Sequence, residues 1–183
     1  MDVRGLDSFK ARHSGRSNSS GSAFAWSLLD YLLMSEYGMK MPEIGLNARG
    51  KPCFPHFSEI HFSLGHTATH VICALSDEPV GCDIEMHRGV RAGLETRIMT
   101  TEERQDFELF DLWVLRESFY KLTGQGDLRK LLFRRRGEEI LAPLPGVRSQ
   151  LYDSAIGCSA ALCCYGEPPE RLELLDSECL IRR

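Results

Sequence analysis

No stretch of this 183-residue chain is both apolar and long enough to span a bilayer, and no two of its seven cysteines are spaced C-x-x-C. The first absence argues against a membrane-spanning protein, and the second against a structural zinc site. Basic charge is not in excess either. Lys and Arg number 22 against 26 Asp and Glu, a formal net charge of −4, which argues against wholesale nucleic-acid binding. The opening segment "MDVRGLDSFKARHSGRSNSSGS" is polar and lacks the apolar core of a signal peptide. A cytoplasmic protein is therefore expected, and in that reducing compartment disulfides are not. Most of the cysteines fall in apolar, strand-like runs, where a free thiol behaves as a small hydrophobe.

What is present is an ordinary globular composition, 43% hydrophobic, in a chain long enough for one moderate domain or two intimately packed halves. Residues 11–22, rich in Ser, Gly and Arg, read as a loop. "AFAWSLLDYLLMSEYG" (23–38) predicts a helix with Phe24, Leu28, Tyr31 and Leu32 on its apolar face and Gly38 as its stop. Pro42, Pro52 and Pro55 break the next interval. Residues 59–85 predict three strands, over 60–63, 69–75 and 79–85, with turns at "LGHT" and "SDEP". From Thr100 the period becomes helical, opened by a Thr100–Glu103 capping box and closed at Gly124 or Gly126. A hairpin over 127–141, with "RRRGEE" at its turn and Arg134–Arg136 as a solvated tip, and a strand within 155–168 complete the chain.

A weak internal likeness links "VICALSDEPVGCDIE" (71–85) with "AALCCYGEPPERLEL" (160–174), which align without gaps around a shared Glu-Pro. Each reads as a strand, a turn and a second strand. Leu172 and Leu174 stand in the second copy where the first has Asp83 and Glu85, so only one half keeps the carboxylates.

Those carboxylates carry the chemistry. In "EPVGCDIEMHR" (78–88), period-two geometry places Asp83 and Glu85 on one face of a strand. On the following helix Glu117 and Lys121 are four apart and share a side with Phe110, Trp113 and Val114. If the helix packs across the strand end, three carboxylates converge and repel unless a divalent cation lies among them. A set of hard oxygens favours Mg²⁺ over zinc, and Mg²⁺ completes its shell with water and phosphate oxygens. Lys51, His66, Arg88, Arg116 and Lys121 are the nearby candidate phosphate partners, so the pattern points to phosphoryl-group transfer.

Four blocks, "RGKPCFP", "IHFSLGHTATHVICAL", "PVGCDIE" and "WVLRESFYKLTGQG", occur in the order seen in 4′-phosphopantetheinyl transferases. The chain most resembles the pseudodimeric type that activates nonribosomal peptide and polyketide synthases. The resemblance implies a mixed α/β (α+β) fold of two similar halves in one chain with the active site between them. These are 1–88, with the strand-borne carboxylates, and 89–183, with the catalytic helix. It implies transfer of phosphopantetheine from coenzyme A to a serine of an apo acyl or peptidyl carrier protein by a monomer. Asp83, Glu85 and Glu117 would hold Mg²⁺ on the pyrophosphate, and Lys121 would steady the phosphate under attack. Lys51 and His66 would grip the nucleotide end, while Gly65, Arg116, Arg12 and Arg16, with His13, would supply further coenzyme A contacts. Either Glu117 or a metal-bound water it orients would accept the serine proton.

The chain departs from the family pattern at two places. Ser63 and Gly65 replace the Asn and Ser of F-N-x-S-H, and Arg116 replaces the usual Lys of W-x-x-K-E. A rim for the carrier would draw on Arg91, Arg97, Arg104 and Met99. A non-catalytic module binding coenzyme A or a carrier, and a metal-dependent phosphohydrolase, are the competing readings.

Overall fold

A computed structural model describes residues 20–154 and 157–176, and the side chains of Ser20, Asp153 and Ser154 fall outside the description. The chain is mixed α/β, as its patterning implies. Helix α1 spans Ser20–Tyr37 and stops where Gly38 takes φ 63°. There the Gly38 N–H donates to the Met34 carbonyl and that of Met39 to Leu33. The positive φ that a side chain would resist explains why the stop was legible as a glycine.

The buried stripe of α1 is Trp26, Leu29 and Leu33, rather than the expected Phe24, Leu28, Tyr31 and Leu32. Phe24 is exposed. The helix offers two apolar stripes, and packing chooses between them. Trp26 meets Phe62 edge-on at 5.8 Å, and Phe54 and Ile60 close the same cluster.

Strands β1 (Gly45–Leu46) and β2 (Pro52–Cys53) form a short antiparallel pair. Strands β3 (His61–His66) and β4 (Val71–Ser76) form a hairpin. The expected turn at "LGHT" lies three residues later: Leu64, Gly65 and His66 belong to β3, paired with Cys73, Ile72 and Val71. Thr67 closes the turn instead, its N–H donating to the His70 carbonyl at 2.8 Å and its hydroxyl accepting from the His70 N–H at 3.0 Å.

Strand β5 (Val80–Met86) joins a five-stranded antiparallel sheet with β6 (Arg134–Arg136), β7 (Glu139–Leu141), β8 (Arg148–Ser154) and β9 (Cys158–Cys164). The spatial order is β5-β9-β8-β7-β6. The β6–β7 hairpin turns at Gly137, φ 63°, and Arg135 and Arg136 are exposed at its tip. Past β9 the internal likeness fails. Residues 165–176 form no strand, because Pro168 and Pro169 remove two consecutive ladder donors.

Three short helical pieces, not one long helix, follow β5. They are α2 (Leu94–Ile98), α3 (Glu103–Asp106) and α4 (Leu109–Thr123). Phe107 and Glu108 are extended and interrupt the helix expected from Thr100. Phe107 is drawn into the core with Met99 and Phe133, under the Arg135 guanidinium at 5.1 Å. Asp106 is held there too, its carboxylate accepting from the Arg135 N–H at 3.0 Å. Helix α4 ends at Gly124, φ 62°, whose N–H donates to Tyr120.

The sheet is sandwiched. On one face α4 packs Leu115 and Phe119 toward Ala161 and Cys163 of β9. On the other, Ile72 and Ala74 of β4 meet Cys82, Ile84 and Leu162. The six cysteines among the described residues are free thiols. Among the described residues no helix is long and apolar enough to cross a membrane.

Candidate active site

Alternation along β5 sends Gly81, Asp83 and Glu85 toward α4, while Val80, Cys82 and Ile84 enter the core behind the sheet. Gly81 marks the closest crossing. A methyl group there would run into the backbone of Ser118 and Leu122, so only a glycine lets α4 lie this near the strand. The Ser118 hydroxyl donates to the Ala161 carbonyl at 3.0 Å and anchors the helix to β9 as well.

One turn along α4, Lys121 reaches the strand. Its ammonium lies 2.6 Å from Asp83 Oδ1 and donates to the carbonyls of Leu64 and Cys82, each at 3.0 Å. The lysine thus joins β3, β5 and α4 at one point. Asp83 is 8% exposed, and burial pushes its carboxyl up, against the opposing pull of Lys121. Glu85 and Glu117 are half-buried, and burial raises both. The charge of Asp83 raises each further, and that of Glu85 acts on Glu117. The three carboxylates share one electrostatic neighbourhood. Arg88 and Lys121 partly offset that field at Glu85, and His66 does so at Asp83.

The other expected site residues divide. His66 lies at the exposed end of β3, with Gly21 of α1 close against its ring. Lys51 is half-buried and donates to the Val80 carbonyl at 2.6 Å; burial lowers its pKa to about 8. Gly65 is buried against Asp83 and Ile84, where a Cβ would stand 2.8 Å from Ile72 Cγ2. Arg12, His13 and Arg16 lie outside the described residues.

Arg116 requires a correction. It is 2% exposed, and its Nη2 donates to both carboxylate oxygens of Glu103, at 2.9 and 3.1 Å. Its remaining donors go to the Leu131 and Ile98 carbonyls. All three guanidinium nitrogens are engaged inside the protein and the side chain is buried, so it is not presented to a ligand such as coenzyme A. Glu103 serves twice, because its carboxylate also accepts from the Thr100 N–H while the Thr100 hydroxyl accepts from the Glu103 N–H. The expected capping box is present, and the arginine is built onto it. Met99, expected on a carrier-facing rim, is 6% exposed and belongs to the core.

Sequence reading missed the role of Ser63. Its hydroxyl accepts from the Cys82 N–H at 2.9 Å, and so ties β3 to the free edge of β5. It also missed a polar chain at the far end of α4, where His87 Nε2 lies 2.8 Å from Ser159 Oγ and Ser159 donates to Asp111 at 2.6 Å. His87 extends the period of Asp83 and Glu85, so one member of that chain was legible. Ser159 was not, since only the β5–β9 register brings it opposite Glu85.

Comparison with known proteins now bears on this groove. The 4′-phosphopantetheinyl transferase psf-1 of Bacillus pumilus is 31% identical over 111 residues, 54% of this chain and 48% of that protein. Sfp of Bacillus subtilis (strain 168) is 28% identical over 111 residues, 54% of this chain and 50% of its own. This chain resembles the 4′-phosphopantetheinyl transferases. A third such transferase, gsp of Aneurinibacillus migulanus, is 32% identical over 120 residues, 55% of this chain and 48% of that protein. The chain thus spans about half the length of the curated phosphopantetheinyl transferases it matches. No protein-family model matches it.

Proposed function

We propose that this chain transfers 4′-phosphopantetheine from coenzyme A to a serine hydroxyl of an apo acyl or peptidyl carrier protein, releasing adenosine 3′,5′-bisphosphate. The observation that carries the reading is the β5–α4 groove, where Lys121 and Asp83 form an ion pair beside the mutually repelling Glu85 and Glu117. The similarity to three named phosphopantetheinyl transferases supports the same reaction.

The donor chemistry of the groove fits a hard divalent cation. All three candidate ligands are carboxylates, and the two glutamates are raised by neighbouring negative charge as well as by burial. Among the described residues no three His, Cys, Asp or Glu side chains form a ready-made cage. Mg²⁺ is commonly held by one or two carboxylates and completed by water and phosphate oxygens, so the reading does not require a closed cage. Asp83, Glu85 and Glu117 would hold it, and when bound it would neutralise charge developing on the pyrophosphate.

The chain's own residues supply the rest. Lys121, fixed by Asp83 and two carbonyls, presents positive charge at a defined point beside the phosphate under attack. Glu117, its carboxyl raised by burial and by Asp83, is better matched to accept the serine proton than an ordinary surface glutamate. His66 at the mouth, and Lys51 once released from Val80, would meet the nucleotide phosphates. In this reading Asp83 and Glu85 come from a first α/β half, 1–88, and Glu117 and Lys121 from a second, 89–183, as in a pseudodimer with its site between the halves. The reading is of a monomer working in the cytoplasm, with which the six free thiols among the described residues agree.

The test is incubation with coenzyme A, Mg²⁺ and apo carrier proteins, followed by mass spectrometry of the carrier. A phosphopantetheine gain that chelation abolishes is expected. No gain on any of several carriers, with coenzyme A still bound, would establish the non-catalytic module instead.

A further inference from the structure

The chain His87–Ser159–Asp111 lies outside the machinery just described, yet Ser159 stands directly across the β5–β9 ladder from Glu85. Residues paired this way point to the same face of a sheet. Ser159 is 3% exposed and its hydroxyl carries a single proton. That proton goes to Asp111 Oδ1 at 2.6 Å, so His87 must donate its Nε2–H to the serine oxygen. The direction of the chain is therefore set, from strand end through β9 to the first turn of α4.

The imidazole adds a second contact with the same turn. It stacks on Phe110 with ring centroids 5.5 Å apart and planes 27° from parallel. The His87 N–H also prolongs the ladder beyond β5, donating to the Gly157 carbonyl at 2.8 Å. Helix α4 is thus pinned to the sheet twice. Near its C-terminal end it is held by the Gly81 crossing and Lys121, and at its N-terminal end by Phe110 and Asp111. Glu117 lies between the two pins on the helix, and Glu85 between Asp83 and His87 on the strand. Repulsion between these glutamates works to part helix from strand, and the N-terminal pin opposes it.

The geometry points to Ser159, with His87 and Asp111, as a positioning unit that sets the Glu85–Glu117 gap and so the affinity and size preference of the groove for a divalent cation. This inference rests on the metal site proposed above and concerns how that site is dimensioned. Loosening the pin lets the gap widen, which penalises the small, geometrically strict Mg²⁺ more than the larger, tolerant Ca²⁺.

The experiment measures Mn²⁺ binding to the full chain by electron paramagnetic resonance in the presence of coenzyme A, with Mg²⁺ and Ca²⁺ as competitors. The variants are Ser159→Ala and His87→Ala, the latter at a solvent-exposed position. Each is expected to weaken Mn²⁺ binding by about tenfold, as loss of an outer contact to a metal ligand commonly does, and to shift the Mg²⁺-to-Ca²⁺ preference toward Ca²⁺. Unchanged affinity and preference in His87→Ala and in folded Ser159→Ala, beside a wild-type protein that binds Mn²⁺, would overturn this inference alone. A wild-type protein that binds no Mn²⁺ would overturn the metal reading and this inference with it.

Discussion

Lys121 and Asp83, 38 positions apart in the chain, meet with their charged atoms 2.6 Å apart. The same ammonium bonds carbonyls of two strands that share no ladder, Leu64 of β3 and Cys82 of β5. In the proposed reaction, structure and chemistry would therefore depend on one cation. Lys121→Met leaves a buried carboxylate and two carbonyls without their donor. A loss of about 2–3 kcal/mol is expected, below the range for a fully buried pair because Lys121 keeps some solvent contact. Urea unfolding measures it. Phosphopantetheine transfer per folded molecule should fall by at least about 100-fold, as removal of a preorganised charge at a reacting centre does.

Arg116 separates a structural cation from a ligand-binding one. Arg116→Met strands the Glu103 carboxylate in the core, and a loss of about 3–5 kcal/mol is expected. Arg116→Lys should recover only part of it, since an ammonium cannot reach Glu103 and the Leu131 and Ile98 carbonyls as the planar three-nitrogen group does. In the folded fraction of Arg116→Lys, the KM for coenzyme A should equal that of wild type. A several-fold rise in that KM, with stability unchanged, would return Arg116 to the coenzyme A site.

The carboxylates make stability depend on pH in a defined direction. Burial raises Glu85 and Glu117 in the folded chain, so it retains their protons where the unfolded chain has released them. Their contribution to stability is present below the unfolded carboxylate range of about 4 and is lost as pH rises through the raised folded values. Glu85→Gln and Glu117→Gln should therefore raise the urea midpoint at pH 7.5, and by much less near pH 4. An equal gain at both values would contradict the assignment. Transfer activity at pH 7.5 should fall in both variants, a trade of function for stability.

Two glycines report how tightly the groove is built. Gly81→Ala places a methyl group against the backbone of Ser118 and Leu122, where no side chain can swing away, and should unfold the chain or lift α4 from β5. Gly65→Ser restores the residue the family carries at that position, yet its Cβ would stand 3.2 Å from both Asp83 Cα and Ile84 N. It should lower the melting temperature instead of improving function. Thermal unfolding of the two variants tests both expectations.

The features that were legible in the sequence are those set by neighbours a few residues apart. The Thr100–Glu103 capping box, the glycine stops after α1 and α4, and the shared face of Asp83 and Glu85 follow from local geometry and backbone sterics. The four ordered blocks carried the resemblance to phosphopantetheinyl transferases for the same reason, since they are short and contiguous. Only tertiary packing decided which apolar stripe of α1 is buried, that Phe107 breaks the helix, and that Arg116 faces Glu103. Each of these compares two locally acceptable choices, and burial against distant residues tips the balance. The opposition of Glu85 and Ser159 is likewise a matter of strand register, set by contacts along the whole β5–β9 ladder and by nothing within either segment alone.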